Sequence, residues 1–108
     1  MTIHTVDGLD AILDEEHWET HIVSRHPELQ GKLNLVIETL QNAEAVFRGK
    51  RDPDTRIYLK QYADLVLGDH LIERTTLRVY VRDDDTFVVT AFFATAWWRS
   101  LGGKIWPS

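Results

Sequence analysis

The chain has 108 residues, 44% of them hydrophobic and 27% charged, with a formal net charge of −5. That length suits one domain with a real core, and the composition excludes a disordered body. No cysteine is present, which excludes disulfides and thiolate chemistry; no apolar run approaches the roughly 20 residues of a membrane helix and no basic-then-apolar leader opens the chain, so a cytoplasmic protein away from membranes is the default expectation.

The charge is uneven. Residues 1–47 hold two basic and nine acidic residues, net −7, whereas residues 48–108 hold ten basic and eight acidic, net +2. Arg48, Lys50, Arg51, Arg56 and Lys60 form one basic cluster, and Arg74, Arg78 and Arg82 a second. Net acidity argues against a non-specific nucleic-acid binder, but it leaves room for a local positive face.

In chain order, residues 1–9 read as a loose lead-in. Asp14 is placed to cap a helix running to about Arg25, with Glu15 and Glu16 in the first turn where the helix dipole favours them. Pro27 disfavours helical geometry at His26, so a break falls there, and the same proline suits the start of the next helix. Leu29, Leu33, Val36, Ile37 and Leu40 then form one apolar stripe of a helix ending near Asn42, weakened in its first turn by Gly31.

Ala45-Val46-Phe47 suggests a short strand, and residues 48–54 a turn. Arg56 to Tyr62 alternates, with Ile57 and Leu59 opposing Arg56, Tyr58, Lys60 and Tyr62. Leu77 to Arg82 repeats the pattern, with Leu77, Val79 and Val81 opposing Arg78, Tyr80 and Arg82. Residues 83–86 make a polar connection short enough for a hairpin, and Phe87 to Phe93, apolar on both sides, suits a strand inside a sheet. Residues 63–74 fit either a helical turn or a long hairpin loop. The tail, 94–108, is aromatic and is broken by Gly102-Gly103. The fold class expected is α+β: two N-terminal helices on a three- to four-stranded antiparallel sheet, in a single domain with its core at about 14–93. One sheet face should pack on the helices, and the other should display Tyr58, Lys60, Arg78, Tyr80 and Thr90.

The chemistry-bearing residues begin with His21 and His26. Histidine titrates near neutral pH and can both take and give a proton. Cleaving RNA through its own 2′-hydroxyl needs a base at that oxygen and an acid at the leaving 5′-oxygen. Lys60, Arg56 and Arg78 are the cations that would stabilise a pentacoordinate phosphate, Tyr58 and Tyr62 could stack on a base, and Thr90 is a lone hydroxyl in an apolar strand. The plainer account of each is cross-strand pairing on a solvated face, and of Thr90 a β-branched residue suited to a strand. His17 and His21 stand four apart, as helical zinc ligands do, but Trp18 follows the first histidine where the zinc motif carries glutamate, so surface histidines are the better account and no metal is expected.

The run His21-Ile22-Val23-Ser24-Arg25-His26-Pro27-Glu28-Leu29, a helix ending near Asn42, Tyr58-Leu59-Lys60, Leu77-Arg78-Val79-Tyr80-Val81 and Val89-Thr90-Ala91-Phe92 together resemble phage-encoded members of the barnase/EndoU/colicin/RelE-like (BECR-fold) nucleases. The resemblance covers roughly residues 17–93, and the His-x-x-x-Arg-His-Pro-Glu segment is its most specific part. It implies metal-independent RNA cleavage on an open sheet face, often by toxins, with no cofactor. It assigns catalysis to His21, His26, Lys60 or Arg56, and Thr90; Arg25 stands beside His26. The expectation is a ribonuclease leaving a 2′,3′-cyclic phosphate, with Arg25, Arg56, Tyr58 and Arg78 binding RNA. The rival is a catalytically inactive interaction module on the same fold, docking an antitoxin or a second copy through Trp97, Trp98 and Trp106.

Overall fold

The computed structural model describes residues 1–96 and 99–108. The chain opens on a two-stranded hairpin, β1 (Thr2–His4) and β2 (Asp10–Ile12), where a loose lead-in was expected. Ile3 and Ala11 face each other across this ladder and both are buried, which is what anchors so short a pair. Asp14 caps α1 (Glu15–His17), its carboxylate accepting from the His17 amide at 2.8 Å. The helix runs on as a π-helix over Trp18–Val23, which turns Trp18 and Ile22 into the core. After Pro27 comes a 3-10 turn, Pro27–Leu29, and then α2 (Leu33–Gln41), capped at Asn42.

The single helix expected from Leu29 to Asn42 is therefore split. Gly31 takes φ +75°, a left-handed conformation that a side chain resists, and the helical path restarts only beyond it. Leu29, Val36 and Leu40 are still fully buried, so the apolar stripe survives the interruption.

Five strands follow: β3 (Ala45–Gly49), β4 (Thr55–Leu67), β5 (His70–Arg82), β6 (Val88–Ala94) and β7 (Leu101–Trp106). They pair antiparallel in the order β6-β5-β4-β3-β7. The class is α+β as expected, but the sheet is larger than three or four strands and the helices are short and preceded by the hairpin. Residues 63–74 form neither a helical turn nor a loop. They extend β4 and β5 into a two-stranded ribbon turning at Gly68 and Asp69, and Val66 and Leu71 stay exposed on it. The fifth strand lies in the tail, where no strand was expected. It fits because a Cβ on Gly102 would stand 3.0 Å from the Arg48 carbonyl oxygen, a contact that only glycine avoids.

Register decides which side chains share a face, since directly opposed residues of antiparallel strands point the same way. Tyr58 pairs with Val46 and Val79, Lys60 with Leu77, and Arg56 with Arg48 and Val81. On this first face Val46, Tyr58, Leu77, Val79, Val81 and Ala91 join Trp18, Ile22, Leu29, Val36 and Leu40 in one core cluster. The second face carries Ile57, Leu59, Arg78, Tyr80, Thr90 and Phe92, since Leu59 opposes Arg78, Arg78 opposes Phe92 and Tyr80 opposes Thr90. Tyr58 and Lys60 thus lie on the opposite side of the sheet from Arg78, Tyr80 and Thr90, and the single displayed face expected from alternation is corrected on that point.

The second face is not bare. Ile57, Leu59, Thr76 and Arg78 are all buried on it. The chain must pass from β6 at one edge to β7 at the other, and it crosses this face. Arg78 holds the crossing, its Nη2 donating to the carbonyls of Ala96 at 2.8 Å and Arg99 at 2.6 Å. Trp97 and Trp98, expected as partner contacts, lie outside the described residues. Trp106 is half-buried, pairs with Val46 and packs on the core, so it serves the fold of its own chain. No helix among the described residues is long and apolar enough to cross a membrane.

Candidate functional site

Two groups of charged and polar residues stand at the same end of the sheet, one on each face. On the first face, Asp7 reaches in from the hairpin loop. It accepts from Thr5 Oγ1 at 2.6 Å, Tyr58 Oη at 2.7 Å and Arg56 Nη1 at 2.7 Å, and its side chain is only 4% exposed. Arg56 also donates through Nε to Asp83 at 2.8 Å, and Asp83 accepts from Arg48 Nη1 at 2.7 Å. Burial acts to raise the Asp7 pKa, but the three hydrogen bonds and the Arg56 charge outweigh it, and the net shift is downward. Burial, then the hydrogen bond to Asp7 and its charge, raise the Tyr58 hydroxyl well above its usual range, against the opposing effects of Thr5 and Arg56. Arg56 and Tyr58, expected to bind substrate, are thus engaged within the fold. Lys60 lies on the same face with Nζ 6.0 Å from the Tyr62 ring, and Tyr62 in turn is hydrogen-bonded to the Leu35 carbonyl and Thr39.

On the second face a cleft of about 510 Å³ opens between the β3–β4 turn and β6. Lys50, Arg51 and Arg82 bring cations to it, Asp52 brings one carboxylate, and Thr55, Tyr80, Thr90 and Ser100 bring hydroxyls. Among the described residues neither Lys50 nor Arg51 makes an ion pair, whereas Arg82 is held by Asp85 at 2.7 Å. Thr90 is therefore in the cleft, while Arg78 lies deeper on the same face, tied to the crossing segment. A smaller cleft of about 240 Å³ near Lys60, Gln61 and Lys104 has Glu44 within it, whose carboxylate accepts from the Gln61 amide. It brings two cations against one acid, where the larger cleft brings three against one.

The histidines do not line the larger cleft; His17 alone meets its β6 edge, through Val89. His17 Nε2 lies 2.8 Å from the carbonyl oxygen of Val89, a cleft residue. A carbonyl can only accept, so Nε2 carries the proton. The His17 ring stacks on His21 with centroids 4.6 Å apart and an interplanar angle of 17°, and it contacts Phe87 at 5.0 Å. Arg82 lies over the other side of this junction, 5.6 Å from the Phe87 ring. Partial desolvation, then the positive charges of Arg25 and His17, lower the His21 pKa below its ordinary 6.5. His21 sits within the π-helix, a rare conformation that recurs at functional sites. His26 lies further along the edge, its ring 5.4 Å from Phe92 and its Nδ1 3.7 Å from Glu28. Arg25 is exposed next to it.

Of the residues selected from the sequence, only Thr90 lines the cleft; His21 is linked to its edge through His17, and His26 lies beyond it against Phe92. The site adds His17, Lys50, Arg51, Tyr80 and Arg82, which sequence reasoning did not select. The basic cluster from Arg48 to Arg51 held the signal for Lys50 and Arg51; His17 gave none beyond its spacing from His21. Among the described residues no group of three or more His, Cys, Asp or Glu side chains is placed to share a metal ion. No protein-family model, curated protein or solved structure matches the chain.

Proposed function

We propose that this protein is an endoribonuclease of BECR-like type that works without a metal ion. The observation that carries the reading is the cleft itself: Lys50 and Arg51, which form no ion pair among the described residues, line it with Asp52 and four hydroxyls, and His17, stacked on His21, meets its β6 edge through the Val89 carbonyl. A phosphodiester suits that surface: Lys50 and Arg51 meet its charge, and Thr90 donates to a phosphate oxygen. His21, whose lowered pKa favours the neutral form, takes the proton from the 2′-hydroxyl. The 2′-oxygen attacks phosphorus, the bond to the 5′-oxygen breaks, and His26 returns a proton to that leaving oxygen. The products are a 2′,3′-cyclic phosphate and a 5′-hydroxyl. The phosphate role passes from Lys60 and Arg56 to Lys50 and Arg51, because Lys60 lies on the other face and Arg56 is held between two aspartates.

A second reading, an inactive interaction module, draws support from the segment that crosses the same face and engages Arg78. Cleavage of a mixed-sequence RNA in excess chelator separates the two. The expected result is cyclic-phosphate ends from the parent and a loss of at least about 100-fold in rate for His21→Ala with His26→Ala. Intact RNA with folded parent protein would sink the enzymatic reading in favour of the module.

A further inference from the structure

Tyr80, Phe92 and His26 form a row of rings on the second face. Tyr80 and Phe92 are diagonal neighbours on β5 and β6, with centroids 5.4 Å apart and planes within 24°. Phe92 and His26 continue the row at 5.4 Å and 30°. All three residues are half-buried. The row starts in the cleft, which Tyr80 lines, and runs to the β6 edge, where His26 arrives from the helical segment.

A diagonal aromatic pair is a common way to stabilise a sheet, and Tyr80 with Phe92 does so here. Two features go beyond that role. The third ring comes from outside the sheet, so the row is longer than a cross-strand pair requires. It also begins at Lys50, Arg51 and Arg82, the cations that would hold a phosphate. Basic groups tracking a backbone, next to aromatic faces that take successive bases, are what proteins use to hold single-stranded nucleic acid. Tyr58 and Tyr62, the tyrosines that alternation offered for this task, lie on the first face, whereas Tyr80, whose Oη accepts from Arg78 Nη1 at 3.4 Å, lines the cleft.

We propose that Tyr80, Phe92 and His26 are a stacking platform for unpaired bases of an RNA strand whose phosphate occupies the cleft. The proposal rests on the ribonuclease reading and specifies its substrate class as single-stranded RNA. A duplex keeps its bases stacked on one another and presents no free face to the row.

The test is binding of a fluorescently labelled 2′-O-methyl strand, which cannot be cleaved through its 2′-oxygen, to the unmodified protein. It is compared with an abasic strand of equal length and with the duplex. The platform predicts that the intact strand binds about tenfold or more tightly than the abasic strand, as expected for stacked bases, and more tightly than the duplex. Phe92→Leu, which keeps an apolar side chain on the sheet, should bring the intact strand close to the abasic one. Equal binding of intact and abasic strands, weakened by Arg51→Ala, would overturn the platform and leave the phosphate cleft standing. Binding of no strand would overturn both. The comparison of strands needs no variant, so a poorly folded Phe92→Leu does not decide the matter.

Discussion

The two faces of the sheet treat their positive charges in opposite ways. On the first face Arg48 and Arg56 meet Asp83, and Arg56 also meets Asp7, which comes from a hairpin far away in sequence. On the second face Lys50 and Arg51, only a few residues away along the chain, form no ion pair among the described residues, although Asp52 lines the same cleft. All four belong to one basic stretch and look alike by composition. What separates a cation that serves the fold from one offered to a ligand is whether the tertiary structure brings an acid into bonded contact with it.

That contrast is broken most severely at Asp7. Asp7→Ala leaves the buried Tyr58 hydroxyl without its acceptor and Arg56 with Asp83 alone, so the loss falls toward the lower end of the about 3–5 kcal/mol for removing one partner of a buried pair. Urea denaturation should show that loss, while RNA binding per folded molecule stays unchanged. Tyr58→Phe is milder, at about 1–2 kcal/mol, since it leaves one carboxylate oxygen short of a donor and keeps the ring packing.

Acid sharpens the comparison. Asp7 and Asp83 have lowered pKa values in the fold, so their stabilisation is present above 3.8 and is lost as pH falls through their folded values. His21 is also lowered, so below 6.5 the unfolded chain binds the extra proton first and stability declines toward acid there as well. The cleavage rate should rise with pH across the same upper window, as the base is freed. Denaturation measured against pH should show two separate limbs. His21→Ala should flatten the upper one, and Asp7→Asn the lower.

The smallest effect on stability is expected at Lys50 and Arg51. Alanine at either site should leave unfolding within about 0.5 kcal/mol of the parent. It should also reduce the slope of log affinity against log salt for a single strand by about 0.7 for each phosphate contact removed. Unchanged salt dependence in both variants would place the phosphate elsewhere.

Much of this organisation is legible in the chain. The alternation at 56–62 and 77–82 marks β4 and β5, the apolar run at 87–93 marks β6, and the stripe from Leu29 to Leu40 marks the helical face despite Gly31. The facing of the strands is not legible, because alternation within one strand sets two sides but not which side joins the next strand's. Polar-looking Arg56, Tyr58 and Lys60 share a face with Leu77, Val79 and Val81 only because register pairs them so, and Asp7 makes the burial of Arg56 and Tyr58 tolerable. Gly102-Gly103 carries little strand propensity, so β7 is visible only through the close approach to β3 that glycine permits. The role of His17 depends on a carbonyl of β6 and a ring four residues on, neither of which its own neighbours announce.

The pairing of Val46 with Trp106 sets an order on how the sheet is completed. β3 through β6 can zip together as consecutive hairpins, each closing a short loop. β3 keeps its outer edge open until the last strand arrives from the far side, and that closure joins segments distant in sequence, which is the slow kind of contact. Until then a row of unpaired amides and carbonyls on β3 is free to pair with another chain. During synthesis the molecule is therefore most open to mispairing in the interval before residues 101–106 emerge.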